Sequence, residues 1–281
     1  MNEIKQNSPY AWFLAARPKT LTGAIIPVLL GSALAFSDGQ FKTAPALLCA
    51  LFACGMQIAA NFINDLFDFQ KGTDRREDRL GPQRACAEGW ITPAAMKTGI
   101  GIALTLSCLA GLAVLFTVWG QLPHGGWELV ALGVVCILFA FLYTTLLSYL
   151  GWGDVLVLVF FGFVPVCGTY YVQAYTLNMD VLVLSLVSGL AIDTLLMVNN
   201  YRDREQDAVS GKCTLVMRYG RKFGENMYLG LGIAATLLCL WFVNTGRLTL
   251  IEFIWAPCVY LCMHALTWRK MVKIRSGKGL N

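Results

Sequence analysis

The chain has 281 residues, of which 57% are hydrophobic and only 14% charged, and its mean hydropathy is +0.59. A soluble globular domain carries charge on about a quarter of its residues, so this composition excludes that class. The net charge of +5 is explained below by membrane orientation and contact with anionic lipid, and it does not indicate nucleic-acid binding.

Eight apolar runs in the sequence are long enough to cross a bilayer as helices. In chain order they cover residues 20–37, 44–66, 93–118, 127–148, 152–175, 180–201, 226–245 and 248–268. The stretches between them are too short for a second globular domain, so we expect one transmembrane domain over residues 1–281. The polar residues 1–19 lack a separate cleavable signal segment. The predicted fold class is all-α, a polytopic bundle of membrane helices.

The positions of the basic residues predict the orientation of this bundle. If the N-terminus is cytoplasmic and the spans alternate, 20 of the 22 Lys and Arg residues fall on the cytoplasmic side. Only Lys42 and Arg247 lie outside. Because cytoplasmic loops of membrane proteins are enriched in Lys and Arg, both termini are predicted to be cytoplasmic. The ten cysteines show no metal-binding or redox spacing, which favours a role as small buried hydrophobes.

Two acidic motifs lie at the ends of the second and sixth apolar runs. Residues 64–68 read Asn-Asp-Leu-Phe-Asp, and residues 199–207 read Asn-Asn-Tyr-Arg-Asp-Arg-Glu-Gln-Asp. Carboxylates three or four residues apart share a helix face, which pairs Asp65 with Asp68 and Asp203 with Asp207. Such pairs suit Mg²⁺ carrying a phosphorylated ligand. The alternative, two loops that begin with acidic residues by chance, is disfavoured because the motifs occupy matching positions.

The two motif spans are four apart in chain order and therefore cross the membrane in the same direction. Both motifs are then predicted on the cytoplasmic side, in two similar four-helix halves that surround a central cavity. Polar residues continue from each motif into its span: Gln57, Asn61, Asn64, Asp65 and Asp68 in one, and Asp193, Asn200 and Asp207 in the other. Polar groups in hydrocarbon are costly unless they face a cavity or a partner. Interhelical hydrogen bonding is the alternative, especially for Gln57 and Asn61, and Asp193 is either a cavity residue or one partner of a buried structural pair.

Basic residues beside the motifs could meet the remaining charge of a diphosphate. They are Lys71, Arg75, Arg76, Arg84, Arg202 and Lys212. The rule that cytoplasmic loops are basic would place most of them there in any case. Arg202 and Lys212 stand out because they lie within two helical turns of the second carboxylate pair.

Together these motifs resemble those of the UbiA superfamily of intramembrane aromatic prenyltransferases. Within the superfamily, the sequence is most similar to the menaquinone-pathway branch, which acts on 1,4-dihydroxy-2-naphthoate. The stretches that carry this resemblance are residues 16–21, 71–74, 81–84, 199–203, 211–215 and 218–220. The resemblance implies a bacterial inner-membrane enzyme whose active site faces the cytoplasm. It also implies Mg²⁺-dependent transfer of a polyprenyl group from an allylic polyprenyl diphosphate to the naphthoate, with loss of CO₂, giving demethylmenaquinone.

The same resemblance assigns roles to individual residues. Those implied in catalysis are Asn64, Asp65, Asp68, Tyr143, Asp203 and Asp207. Those implied in metal binding are Asp65, Asp68, Asp74, Asp203 and Asp207. Those implied in substrate binding are Arg17, Lys19, Lys71, Arg84, Thr144, Asn199, Asn200, Arg202 and Lys212, with Arg84 as the candidate for the acceptor carboxylate.

The chain also departs from the family pattern. Gly72 stands where the superfamily usually has a further Asp, and Asp74 follows two residues later. Cys213 stands where this branch often has Arg. The family usually has nine spans, so we expect the final helix to be missing here. The alternative functions are prenyl transfer to another acceptor, such as 4-hydroxybenzoate or a tetrapyrrole, and, from a different class, ion-coupled transport.

Overall fold

A computed structural model of the protein describes residues 4–72 and 80–280, and all regular structure within them is helical. Among these residues, eight helical segments are long and apolar enough to cross a membrane. They are Pro18–Ser37, Thr43–Gln70, Pro93–Val118, Trp127–Leu147, Gly153–Ala174, Met179–Ser210, Arg221–Asn244 and Leu250–Ile274. The predicted all-α, multi-pass membrane fold with eight spans is confirmed. The orientation and the central cavity stay predictions.

The individual helices have the following bounds. The α-helices are α1 Pro9–Ala16, α2 Pro18–Ser37, α3 Thr43–Gln70, α4 Pro93–Val118, α5 Trp127–Leu142, α6 Gly153–Val157, α7 Val164–Ala174, α8 Met179–Ser210, α9 Leu215–Tyr219, α10 Arg221–Leu238, α11 Leu240–Asn244, α12 Leu250–Phe253 and α13 Val259–Ile274. The described residues also contain three π-helical segments, Tyr143–Leu147, Leu158–Phe163 and Ile254–Cys258, and one 3₁₀ turn, Lys278–Leu280.

Both motif helices are longer than their apolar runs. The second predicted span ended at residue 66, but α3 continues to Gln70. The sixth ended at residue 201, but α8 continues to Ser210. The acidic motifs therefore lie within regular helix and not at the start of a loop. Hydropathy indicated where each apolar run ends. The helix continues beyond that point because helix propensity does not require apolar side chains, and residues such as Arg, Glu and Gln are good helix formers.

The chain divides into two compact units. Unit 1 comprises Met1–Leu147 and Thr169–Tyr175. Its core includes the fully buried Ile63, Ile91 and Met96, which join α3 to α4 and to the turn before α4. The short helix α1 also packs here, because the Asn61 amide donates at 2.9 Å to the Ala16 carbonyl. Asn61 is thus an interhelical hydrogen-bonding residue, which is the alternative considered for it above.

Unit 2 comprises Ser148–Gly168 and Thr176–Asn281. Its core includes the buried Met197, Tyr201 and Val216. Helix α8 packs tightly on the π-helical segment Leu158–Phe163, since a Cβ at Gly162 would lie only 2.5 Å from the Ser185 carbonyl oxygen. Glycine at 162 is therefore needed for the close approach that seats the helix bearing the second motif.

Candidate active site

In unit 1, the Asp65 carboxylate binds the backbone of the segment that follows Arg84. It is 1% exposed, and its two oxygens accept hydrogen bonds from the amides of Ala85 and Cys86, both at 2.8 Å. Such charge-assisted hydrogen bonds are among the stronger ones in proteins. Burial, and secondarily the Asp65 charge, raises the pKa of the Cys86 thiol, which keeps it uncharged. Asp65 therefore fixes a turn 20 residues away in the chain.

That turn places Arg84 beside the second carboxylate of the motif. The Arg84 Nη2 atom lies 3.6 Å from Asp68 Oδ2, and Asp68 is only 5% exposed. Sequence reasoning assigned Arg84 to an acceptor and Asp68 to a metal. The structure brings the two side chains together as an ion pair.

A second guanidinium, that of Arg17, acts on the same carboxylates. Arg17 links α1 to α2 with a left-handed backbone at φ 52°. Burial lowers the pKa of Arg17, while the negative charges of Asp65 and Asp68 act in the opposite direction. Its Nη2 atom is buried without a hydrogen-bond partner. Because buried donors are normally satisfied, this atom marks a position where an anionic group of a ligand could bind.

The remaining first-motif contacts reach the π-helical segment Tyr143–Leu147. The buried Thr144 hydroxyl donates a hydrogen bond to Asn64 Oδ1. The Lys71 ammonium group donates to the carbonyl oxygens of Thr144, at 3.4 Å, and Thr145, at 3.1 Å. π-Helical turns often occur at functional sites. The structure thus gathers Asn64, Lys71 and Thr144, and Tyr143 lies half-buried in the same segment.

In unit 2, the end of α8 sets the position of Lys212. Gly211 follows the helix with φ 75°, a left-handed conformation that glycine adopts without strain. The amides of Gly211 and Lys212 both donate to the Asp207 carbonyl oxygen. The chain therefore turns immediately after the motif, and Lys212 follows next to Asp207, whose side chain is buried.

The other carboxylate of the second motif is paired within the motif itself. Arg202 donates from Nε and Nη2 to the two oxygens of Asp203, each at 2.7 Å. This bidentate geometry is the strongest form of an Arg–carboxylate pair. Arg202 is also only 5% exposed. The guanidinium that was predicted to face a diphosphate therefore binds the neighbouring Asp203 carboxylate in this structure.

Sequence reasoning missed Tyr149, which packs on the loop after α8. The Lys212 ammonium group lies 5.7 Å from the centre of the Tyr149 ring. The Cys213 amide donates to the Tyr149 carbonyl oxygen at 3.2 Å. A Cβ at Gly151 would lie 2.6 Å from the Cys213 carbonyl oxygen, so glycine permits this approach. An isolated tyrosine between two spans carries no pattern that would have revealed the contact.

Several predicted residues have other surroundings. Lys19 and Asn199 are exposed, and Asn200 is half-buried. Asp74, with Arg75 and Arg76, lies outside the described residues.

An apolar cavity of about 570 Å³ lies between α1, α3 and α4 in unit 1, lined among others by Trp12, Phe62 and Leu106. No residue of either motif lines it.

The carboxylate oxygens of the two motifs suit a metal ion that binds together with a phosphorylated ligand. Within residues 4–72 and 80–280, no three His, Cys, Asp or Glu side chains are grouped closely enough to hold a metal ion. Among the described residues, neither motif therefore brings three such side chains together. Mg²⁺ typically binds one or two protein carboxylates and completes its shell with water and substrate phosphates. The oxygen ligands of the motifs fit that requirement, and a closed all-protein cage does not occur in the described part of the chain.

Comparison with known proteins places these motifs in a family. A model of the UbiA prenyltransferase family matches residues 24–279. The chain is 37% identical over 247 residues to the 1,4-dihydroxy-2-naphthoate octaprenyltransferase of Escherichia coli (strain K12), covering 87% of this chain and 79% of that protein. It is 35% identical over 273 residues to the protein of the same name from Mycobacterium tuberculosis (strain ATCC 25618 / H37Rv), covering 95% and 87%.

Solved structures share the fold. A UbiA homolog from Archaeoglobus fulgidus bound to DMAPP and Mg²⁺ matches with a TM-score of 0.60 at 14% identity, over 90% of this chain and 87% of that chain. Digeranylgeranylglyceryl phosphate synthase matches with a TM-score of 0.60 at 21% identity, over 96% and 90%. The resemblance inferred from the motifs is confirmed. The protein is a multi-pass membrane enzyme, a prenyltransferase, and it belongs to the UbiA prenyltransferase family.

Proposed function

We propose that this enzyme transfers a polyprenyl group from an allylic polyprenyl diphosphate to 1,4-dihydroxy-2-naphthoate, with loss of CO₂, giving demethylmenaquinone. The observation that carries the choice of acceptor is its 37% identity, over most of its length, to a protein named for that reaction. We further propose that it acts in the inner membrane of a bacterium, with the motifs on the cytoplasmic side, because 20 of its 22 basic residues fall there when the spans alternate.

On the donor side, the motif carboxylates are the proposed metal ligands. Bound Mg²⁺ would stabilise the negative charge that develops on the diphosphate as its bond to the prenyl carbon breaks. In unit 2, Lys212, whose amide donates to the Asp207 carbonyl oxygen, is the proposed source of positive charge for the diphosphate. Arg202 binds Asp203 in this structure and could exchange that carboxylate for a diphosphate oxygen when the carboxylate binds metal.

On the acceptor side, the arginines of unit 1 are the proposed ligands for the naphthoate carboxylate. Arg84 has a planar guanidinium that can form paired hydrogen bonds to a carboxylate. Its position is set by the two hydrogen bonds between Asp65 and the following amides. Arg17 supports the assignment, since its buried Nη2 atom has no hydrogen-bond partner.

The direct test is an acceptor comparison with the purified full-length protein in lipid. We expect Mg²⁺-dependent transfer of label from a polyprenyl diphosphate to 1,4-dihydroxy-2-naphthoate, abolished by a chelator and restored by Mg²⁺. Faster transfer to 4-hydroxybenzoate or to a tetrapyrrole would overturn the proposed acceptor. No transfer to any aromatic acceptor, together with ion-coupled solute flux in vesicles, would overturn the proposed reaction itself.

A further inference from the structure

The side-chain amide of Asn61 is bound to both sides of Arg17. Asn61 lies in α3, one helical turn before the first motif, and is 3% exposed. Its Nδ2 atom donates at 2.9 Å to the Ala16 carbonyl oxygen and at 2.9 Å to the Thr20 hydroxyl oxygen. The Thr20 hydroxyl in turn donates to the Arg17 carbonyl oxygen at 2.9 Å. Asn61 therefore holds the peptide group before Arg17 directly and the one after it through Thr20.

The backbone of Arg17 requires such support. Its φ of 52° and ψ of 70° lie in the left-handed region that residues other than glycine rarely occupy. The following Pro18 restricts the backbone of Arg17 further. Conformations of this kind persist where the surrounding contacts hold them. Because a side chain leaves a left-handed residue in a different direction than it leaves a helical or extended one, this turn determines where the Arg17 guanidinium lies.

The orientation of the Asn61 amide is set by Gln57, one turn earlier in α3. The Gln57 Nε2 atom donates to Asn61 Oδ1 at 3.2 Å. Since the oxygen accepts from Gln57, the two N–H groups of Asn61 both point at the turn around Arg17. A single hydrogen bond to any carbonyl would be enough to join two helices. Asn61 instead uses both of its donors on one turn, which favours a role in shaping that turn.

The guanidinium that this turn places has an unused donor. Arg17 Nη2 is buried and has no hydrogen-bond partner among the described residues, although buried donors are normally satisfied. We propose that Asn61 is a positioning residue for acceptor binding: it holds the left-handed turn at Arg17, so that Nη2 faces the acceptor carboxylate. This rests on the proposed function, in which Arg17 binds that carboxylate. Asn61 acts through Arg17 and does not itself contact the substrate.

Equilibrium binding of dihydroxynaphthoate to the full-length protein in lipid, measured without the diphosphate, tests this role. Asn61→Leu removes the amide at nearly constant volume and should weaken acceptor binding about fivefold or more. In Arg17→Ala protein the same substitution should cause no further loss, because the two changes remove one interaction and are therefore not additive. Binding of the polyprenyl diphosphate should change much less in each of these variants.

A milder variant tests the same turn without changing a buried residue. Thr20 is exposed, and Thr20→Val keeps its shape while removing the hydroxyl that links Asn61 to the Arg17 carbonyl. We expect acceptor binding to weaken about threefold. Thr22→Val is the matched control, because the Thr22 hydroxyl makes the same kind of local hydrogen bond, to the Lys19 carbonyl oxygen at 2.8 Å. It should leave acceptor binding unchanged.

Two outcomes would overturn the positioning role. One is an equal loss of acceptor binding from Asn61→Leu with and without Arg17, which is the result of a purely structural contact. The other is equal acceptor binding by Thr20→Val and Thr22→Val, which decides the question even if Asn61→Leu does not insert. Failure of the proposed acceptor assignment has a different signature: Arg17→Ala and Asn61→Leu would both weaken binding of the diphosphate and leave binding of the naphthoate unchanged.

Discussion

The two motif helices hold their carboxylates in different ways. In α3, Asp65 binds backbone amides 20 and 21 residues away, and Asp68 faces Arg84. In α8, Asp203 is paired with the adjacent Arg202, and the turn after Asp207 is closed by the amides that follow it. The carboxylates of the first motif contact groups that are distant in the chain, whereas the Asp203 carboxylate contacts its neighbour in the sequence. Equivalent substitutions in the two helices should therefore differ in what else they disturb.

The largest expected effect concerns the side of the membrane from which each cysteine can be labelled, because a position is accessible from one side or from the other. Cys213 is exposed and follows Lys212, so it should react with an impermeant thiol reagent only from the cytoplasmic side. Arg75→Cys, at a position outside the described residues, should behave in the same way, and Pro123→Cys should react only from the opposite side. Cys213→Ser provides the background. Labelling of positions 75 and 213 from opposite sides would contradict the predicted common face of the motifs.

Removal of a motif carboxylate should have the next largest effect. Asp65→Ala, Asp68→Ala, Asp203→Ala and Asp207→Ala should each lower kcat by about 100-fold or more, because each removes a proposed ligand of the metal that stabilises the leaving group. Steady-state kinetics on inserted protein measures this, with Asp180→Ala as a control acidic residue of α8. Near-normal turnover in any two of the four variants would refute the model in which both motifs bind metal.

Alanine substitutions of the basic residues should change the KM for the acceptor and the KM for the diphosphate donor separately. Arg84→Ala should raise the KM for dihydroxynaphthoate by about tenfold or more, the cost of a lost charged hydrogen bond, and change the diphosphate KM much less. Arg202→Ala or Lys212→Ala should do the reverse. Arg218→Ala, at another basic residue between α8 and α10, is the control. If Arg84→Ala changes neither KM and lowers only the amount of inserted protein, the residue serves topology alone.

A substitution at Asp65 that preserves the shape of the side chain tests its second role, which is to hold the turn after Arg84 in addition to the proposed metal binding. Asp65→Asn keeps one acceptor oxygen for the turn after Arg84 but loses the other, so we expect acceptor affinity to fall about fivefold. Asp203→Asn has no such turn to hold and should leave acceptor affinity unchanged. Equilibrium binding of dihydroxynaphthoate, measured without the diphosphate, compares the two variants. Equal losses would show that the long-range anchoring of the first motif does not matter for the acceptor.

The smallest expected effect tests how unit 2 positions Lys212. Tyr149→Leu removes the ring beneath the ammonium group, a contact worth about 0.5–1 kcal/mol, and should raise the diphosphate KM about two- to fivefold. Tyr149→Phe keeps the ring and should behave like the wild type. Equal KM values for the two variants would mean that the ring does not position Lys212.

Local sequence patterns were sufficient for much of this protein. The number of spans follows from apolar runs, because a helix in hydrocarbon needs about 20 such residues in succession. Helical periodicity put Asp65 with Asp68 and Asp203 with Asp207 on shared faces, because residues three or four apart in a helix are neighbours. The turn at Gly211 is equally local, whereas Arg202, predicted to face a diphosphate, binds the neighbouring Asp203. Each depends on residues that are adjacent or nearly adjacent in the chain.

Tertiary structure alone decided which partner each buried polar group has. Nothing near Asp65 in sequence indicates that it binds the amides of Ala85 and Cys86. A buried carboxylate binds whichever donor packing brings to it, and that packing depends on how distant segments of the chain meet. The sequence therefore determined the spans and the chemistry of the motifs, whereas only the folded chain determined what each carboxylate touches.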